Sequence, residues 1–409
     1  MINQVFKYKR SELCAGPGSA DYWENIRNMW KISQTSLAKI GSVETAGFRN
    51  LITSLIRTDQ NNVISPASLY CGLLFLADLC SENARNEILN VLFCSHTNPH
   101  IISETIKTGI TEETSDARCH MSASVWANAH VPLHIDSIQT ICQAHQADAF
   151  TGVMGSEEIN AAIQTWINES TESMLSSDSS SMQTDYDTIF EFFATSCLKA
   201  VWSDPFWPAN TDTGLFHVNE KTDVQCAYMN SREKTLCFCG NQFTAVSKDL
   251  RSDSQMWFIL PKAGVLLKQL IENASVKRLL SNPSGMLLSE YEVSMSIPKF
   301  DISSNLDIKP ALQSMGIRSV FDIQAADSSP VAKDIPLLLR KADHVSRIQI
   351  SEEGVEAASY TDFSIAASAL PLKTKKLSFK LDRPFLFAIT KGNKVPLYVG
   401  AVVNPTQMR

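Results

Sequence analysis

From Val355 the chain alternates with a period of two. Val355, Ala357, Ser359, Thr361, Phe363 and Ile365 are small or apolar throughout, whereas the intervening Glu356, Ala358, Tyr360, Asp362, Ser364 and Ala366 carry both acids. Successive side chains of a strand point to opposite faces, so the first set suits a core and the second suits water. The run is also rich in Ala and Ser, opens just after Gly354 and lacks the dense β-branched content of a committed strand. It reads as a segment able to be loop or strand, set against the plainer alternative of an ordinary amphipathic strand.

Downstream, FKLDRPFLFAI (Phe379 to Ile389) is a polar entry followed by Pro384 at the start of an apolar run, and the last apolar run, PLYVGAVVNP, opens at Pro396. This order resembles the C-terminal end of a serpin, similar to antitrypsin, and EEGVEAAS (Glu352 to Ser359) resembles the hinge of that family's reactive-centre loop. Further likenesses come in family order from about Ala46 to Gln407. NVISPAS (Asn62 to Ser68) resembles the opening of the family's second helix, and QTWINEST (Gln164 to Thr171) the helix lying over the main sheet. WSDPF (Trp202 to Phe206) resembles the motif after the third strand of that sheet, and MWFILPK (Met256 to Lys262) a buried strand ending in Pro. IPK (Ile297 to Lys299) and LDIKPALQSMG (Leu306 to Gly316) resemble the strand and helix before the hinge. The resemblance implies a single α+β serpin domain over residues 44–409, with a large central, mainly antiparallel sheet, further sheets, about nine helices and an exposed reactive-centre loop. Residues 1–43 are expected to form an N-terminal extension, partly helical around Trp23 to Trp30 and otherwise disordered.

Length alone would divide 409 residues into two or three domains, but the best linker candidate, Ser176 to Ser181, is short. With 44% hydrophobic residues and no internal repeat, one large unit is the better expectation. A net charge of −7 argues against a nucleic-acid or other polyanion binder. The tightest basic cluster, Lys373, Lys375 and Lys376, falls in the predicted loop, where a solvated patch is the plain reading. No stretch approaches the roughly 20 apolar residues of a membrane span, so no membrane partner is expected. Positive charges near the N-terminus have no apolar run behind them, so no signal peptide is visible. Ten cysteines without a paired pattern suggest reduced thiols. Together these point to a cytoplasmic or unconventionally secreted protein, with the extracellular space as the alternative; the sequons at Asn168 and Asn273 are short enough to arise by chance.

Motifs for catalysis are missing. Cys94, His96 and His100 stand close together, but a zinc site wants four ligands, so a mobile polar turn is the reading. There is no Gly-rich phosphate loop, HExxH or GxSxG, and no metal, cofactor or catalytic residue is assigned. The chain looks like something an enzyme acts on.

The resemblance implies a suicide substrate. A protease attacks the loop, becomes joined as an acyl-enzyme, and is distorted as the freed hinge inserts into the main sheet. Glu352, Glu353, Gly354, Val355, Glu356, Ala357, Ala358 and Ser359 would be the hinge, and counting from Gly354 puts the reactive bond between Ser368 and Ala369, with Leu370 and Lys373 as alternatives. Small Ala366, Ala367 and Ser368 suit an elastase-like or subtilisin-like serine protease, and Lys373 a trypsin-like one. Carried over residue by residue, Lys299 and Glu352 match an ion pair beside Trp202 at the top of the sheet. Ser65, Ser68 and His344 match a polar cluster under its centre. Ala194 departs from the family's Asn and removes a hydrogen-bonding partner, and Tyr360 departs from its usual small residue. A monomer is expected. The competing expectation is a non-inhibitory serpin acting as a binding, storage or chaperone protein.

Overall fold

The computed structural model describes residues 2–7, 41–94, 98–114, 117–175, 183–251, 253–322, 342–355, 375–392 and 394–407, with a few single positions between them. Among these residues, two sheets and nine α-helices enclose a large core and a smaller second cluster around Trp126, Ile163 and Trp166, where the helix Glu157–Ser170 packs on the first sheet.

The first sheet is built from β1 (Asn3–Phe6), β3 (Glu112–Glu113), β4 (Ala117–Asn128), β5 (Asp148–Gly152), β6 (Phe190–Val201), β12 (Phe300–Asp307), β13 (Asp343–Ile350) and β14 (Gly354–Val355). Its order is β1-β5-β4-β6-β14-β13-β12, with β3 beside β4. Only β4 and β5 pair in parallel; the other ladders are antiparallel. Because β14 is antiparallel to both β6 and β13, those two strands run parallel to each other and leave an antiparallel slot between them. The N-terminal strand β1 closes the far edge on β5, where the sequence reading had placed helix or disorder.

The second sheet contains β2 (Asn62–Ile64), β7 (Thr211–Asn219), β8 (Thr222–Cys239), β9 (Phe243–Leu250), β10 (Ser254–Pro261), β11 (Ser289–Pro298), β15 (Lys375–Lys380), β16 (Phe385–Lys391) and β17 (Val395–Val402). It runs β15-β11-β8-β9-β10-β16-β17-β2, with β7 beside β8. Its central strands lack alternation because both faces are covered. Met256, Trp257, Phe258 and Ile259 of β10 are all buried, as is every residue of β16 and β17. Pro384 stands just before β16, and Pro396 lies where the β16–β17 register shifts, positions where a missing N–H breaks no regular ladder. Lys375 and Lys376, expected in a loop, open β15, paired with Tyr291 and Glu292 of β11. Their ammonium groups remain exposed on the edge strand, where charge discourages further pairing.

The helix Pro66–Leu79 is the centre of the core. Ser65 caps it by accepting from the Ser68 N–H, and Pro66 occupies the first turn, where its missing donor does no harm. Nearly every residue of this helix is buried, so it is apolar all round, as a fully enclosed helix should be. It approaches β6 closely enough that a Cβ on Gly72 would stand 2.9 Å from Cβ of Ala194. Cys94, expected in a mobile turn, is buried at the end of the neighbouring layer, and His96 lies outside the described residues. Asn273, one of the two sequon asparagines, is spent locally as a cap: its side chain accepts from Ser275 and Val276 and caps the helix Ala274–Ser281.

Packing at β17 gives a direct test. A Cβ on Gly400 would meet Asn62 O at 2.5 Å and the Phe387 ring at 2.5 Å. Gly400→Ala should therefore lower stability by about 1–3 kcal/mol through overpacking. An unchanged urea midpoint would show that β2 and β17 have room to part.

Candidate functional site

The chain leaves β13 at Ile350, reverses through a turn in which the Ser351 N–H donates to Gly354 O (3.0 Å), and returns as β14 between β13 and β6. Two residues are enough to seat it. Gly354 pairs with Val201, and Val355 pairs with Ala200 on one side and Ile350 on the other. Val355 is 1% exposed and part of the core. Gly354 has φ +158°, and a Cβ there would fall 2.1 Å from Ala200 O, so no larger residue fits this approach. Glu356, Ala357, Ala358, Ser359 and Tyr360, and the candidate bond residues Ser368, Ala369, Leu370 and Lys373, lie outside the described residues.

Trp202 and its neighbours grip the turn by its carbonyls. The indole Nε1 donates to Ser351 O (3.0 Å), the Phe206 N–H to Glu352 O (2.9 Å) and the Trp202 N–H to Glu353 O (2.9 Å). Three consecutive acceptors are thereby satisfied as the chain turns, so the turn carries few unpaired polar groups into the protein. The Trp202 ring is fully buried, edge-on to Phe206, with Lys248 Nζ 4.4 Å from the Phe206 ring centroid and 5.7 Å from that of Trp202. Lys248 is itself buried and answered by Glu233 at 2.9 Å.

The expected ion pair is present. Lys299 Nζ stands 2.8 Å from Glu352 Oε2, and Thr211 Oγ1 donates to Glu352 Oε1 at 2.8 Å. Burial works against ionisation of Glu352, but the hydrogen bonds from Lys299 and Thr211 outweigh it and hold the carboxyl below its usual range.

Under the centre of the sheet, His344 Nε2 accepts from the Ser65 N–H (3.0 Å) and lies 2.8 Å from Ser346 Oγ. Accepting from an amide requires an unprotonated nitrogen, so His344 is neutral, and full burial lowers its pKa to about 4. Ser65 joins this cluster through its backbone, and its hydroxyl is occupied by the helix cap. Ser68 does not join it: its buried hydroxyl has no hydrogen-bond partner among the described residues. The sheet is tied down elsewhere. Tyr398 OH, on β17, donates to Ser196 O (3.1 Å) and lies 3.0 Å from Ser196 Oγ, linking β6 to the second sheet.

Sequence reasoning brought Trp202, Lys299 and Glu352 together, and Ser65 with His344. It missed Phe206, Thr211, Ser346 and the Tyr398–Ser196 link. Ser346 was findable, since it lies two residues from His344 on the same face of a strand. The roles of Phe206 and Thr211 pass through backbone and cross-strand contacts that no local pattern announces.

Both acid–base groups carry a pH signature. The folded pKa of His344, about 4, lies below the unfolded value of about 6.5, so its contribution is complete above about pH 6.5 and lost as pH falls towards 4. His344→Asn should flatten the melting temperature across that window; a slope equal to that of the parent protein would show that His344 is not the titrating group. Glu352 is also depressed, so its stabilisation is present above an unfolded value of about 4.3 and lost below it. Glu352→Gln should lower the melting temperature near neutral pH and reduce the acid-induced loss below about pH 4.3. Identical acid transitions for the two proteins would contradict the assignment.

Comparisons with known proteins agree with this architecture. A family model described as "Serpin (serine protease inhibitor)" matches residues 46–405. The chain is 30% identical to Alpha-1-antiproteinase 2 of Equus caballus over 274 residues, a match that spans 66% of this chain and 62% of that relative's own length. Among solved structures, a thermophilic serpin, tengpin, in its native state resembles it with a TM-score of 0.77 at 20% identity, covering 88% of this chain and 93% of the other. Human thyroxine-binding globulin complexed with thyroxine has a TM-score of 0.76 at 22% identity, covering 93% and 100%. A fold with these two sheets, matched by one family model over most of its length, places this chain in the serpin family.

Proposed function

We propose that the chain inhibits serine endopeptidases as a suicide substrate, trapping the protease as an acyl-enzyme while the cleaved loop enters the first sheet. The observation that carries this reading is β14 itself: the first two residues after the turn already occupy an antiparallel slot between two parallel strands, with Val355 buried. Strand addition at such a slot needs no new architecture, only continuation of the ladder.

The register of that continuation follows from the pairs already formed. With Val355 opposite Ala200 and Ile350, Ala357 would face Leu198 and Ile348, Ser359 would face Ser196 and Ser346, and Thr361 would face Ala194 and His344. Every residue arriving on the core face is small until Phe363, which would add roughly 1.5 to 3 kcal/mol on burial. Ala194 then has a use. Its small side chain lets the buried helix approach β6 closely at the level where Thr361 would arrive. The acids Glu356 and Asp362 and the bulky Tyr360 fall on the opposite face. Attack at Ser368–Ala369 leaves the residues up to Ser368 free to insert, and the small residues before that bond suit an elastase-like or subtilisin-like protease. Leu370 precedes Pro371, which makes it a poor alternative, whereas Lys373 would direct a trypsin-like enzyme.

A second reading, a binding protein that does not trap proteases, is favoured by one cleft. It measures about 590 Å³ between the helices Ser42–Leu55 and Ala274–Ser281 and is lined by Thr45, Arg49, Lys277, Arg278 and Asn282. Arg49 Nε is buried there without a hydrogen-bond partner among the described residues, and thyroxine-binding globulin shows that a chain of this fold can serve as a binder.

Incubation with elastase-like, subtilisin-like and trypsin-like proteases, followed by a denaturing gel and intact mass, separates the readings. The expected result is a covalent complex and a released fragment beginning at Ala369, with the nicked protein more heat-stable than the intact one. Val355→Arg should abolish the complex and turn the inhibitor into a substrate, because insertion would bury an unpaired charge. Cleavage without a complex, at an unchanged melting temperature, would hand the lead to the binding reading.

A further inference from the structure

The turn after the helix Glu157–Ser170 lies across the first sheet and gathers donor atoms from three segments. His120 of β4 and Cys197 of β6 are direct cross-strand partners, so their side chains share the face under this turn. Glu172 completes a trio whose ligand atoms all lie within 4.8 Å of one another. Met174 adds a fourth donor, its Sδ 3.6 Å from Cys197 Sγ. Cys197 and Met174 are buried, whereas His120 and Glu172 are half-buried, which gives the cluster a way in from solvent.

We propose that His120, Met174 and Cys197, with Glu172 beside them, form a binding site for monovalent copper. The donor set is one imidazole, one thiol and one thioether, the combination that selects a soft cation. Two sulfurs on one tetrahedral ion, with bonds of about 2.3 Å, stand about 3.8 Å apart, close to the separation here. An S–H···S contact alone would account for that distance, but not for the imidazole and carboxylate gathered round it. His120 Nε2 lies 3.1 Å from Ser170 O, the carbonyl support that metal-ligating imidazoles commonly have on their second nitrogen; donation there leaves Nδ1 with the lone pair. Charge favours a monovalent over a divalent ion. Both Glu172 oxygens are engaged by cations, Oε1 by Arg118 at 3.2 Å and Oε2 by Lys199 at 2.9 Å, so two positive groups face one carboxylate. Binding would form a copper–thiolate bond at Cys197 and release the thiol proton to solvent, with no change of oxidation state. An ion there would fasten the turn to β4 and β6.

The test is an anaerobic titration of the full chain with Cu(I) under a reductant, using bicinchoninate as the competing chromophore, and with Cys197→Ser, His120→Gln and Met174→Leu alongside. The expected result is one equivalent bound to the parent protein and affinity at least about tenfold lower in each variant that retains the parent's circular dichroism. The other cysteines are the control. Binding of equal strength in the parent and in the folded variants places the copper elsewhere and overturns the proposal, as does a parent protein that fails to compete with bicinchoninate. Should Cys197→Ser not fold, His120→Gln and Met174→Leu carry the same comparison.

Discussion

Trp202 is the residue on which both sheets and the hinge converge. It follows the last residue of β6, bridges to Leu250 at the end of β9 in the second sheet, and donates through both its amide and its indole to the turn that leads into β14. Its ring is buried against Phe206 and a cation that is itself paired. Removing so large a buried side chain would withdraw the indole donor from Ser351 O and open a cavity at once, effects that are destabilising by about 1–3 and about 3–5 kcal/mol respectively in other proteins. The position of β14 therefore follows from one tryptophan being fixed from several sides. The Lys299–Glu352 pair adds direction, not strength, because Lys299 remains substantially exposed and a solvated ion pair contributes little.

Below Val355 the sheet is held from outside and from beneath. From outside, the turn after the helix Glu157–Ser170 contacts three strands: Arg118 of β4 and Lys199 of β6 bind Glu172, and Arg347 of β13 donates to Met174 O at 3.1 Å while pairing with Asp301. From beneath, His344 is tied to the start of the buried helix and Tyr398 to Ser196. These contacts span the line along which β6 and β13 would have to separate. They are few, mostly polar and partly exposed, so each is weak beside the apolar core that holds the second sheet together. A seam of this kind can be shut in one state and opened in another without unfolding the domain, because the strands it joins keep their other partners.

Much of this was legible in the chain. The fold could be read because the motifs that mark it are local: Ser65 and Pro66 announce a helix start by capping chemistry, and MWFILP announces a doubly covered strand by its unbroken apolar run. The hinge could be read from Gly354 and Val355, where a glycine and a small apolar residue meet the opposite demands of close approach and burial. What escaped was long-range or mediated by backbone. Nothing near Phe206 reveals that its amide will meet Glu352 O, and nothing near Asn3 predicts an edge strand on β5, since both depend on partners well over a hundred residues away. Lys375 and Lys376 were misplaced because strand β15 opens on charged residues, which at an edge are protective and in sequence look like a loop. Cys94 was misread for the opposite reason: polar neighbours in sequence hid its burial against Tyr70.

The departure at Ala194 illustrates how one change is absorbed by several neighbours. An asparagine there would face the buried helix at the place where Gly72 already leaves less than a carbon's width to spare. With alanine, the helix and β6 approach closely; the Ser68 hydroxyl is buried without a partner among the described residues, and a polar link between the layers runs from Ser196, two residues further along β6, to Tyr398. Two consequences follow from the same geometry. A buried hydroxyl without a partner is unfavourable by about 1–3 kcal/mol, which raises the free energy of the form with the seam closed. In the proposed insertion, a strand arriving with Thr361 opposite Ala194 would bring a hydroxyl to the level of β6 where alanine stands. On the reading proposed above, a closed form that carries an unsatisfied buried hydroxyl would be that much easier to leave.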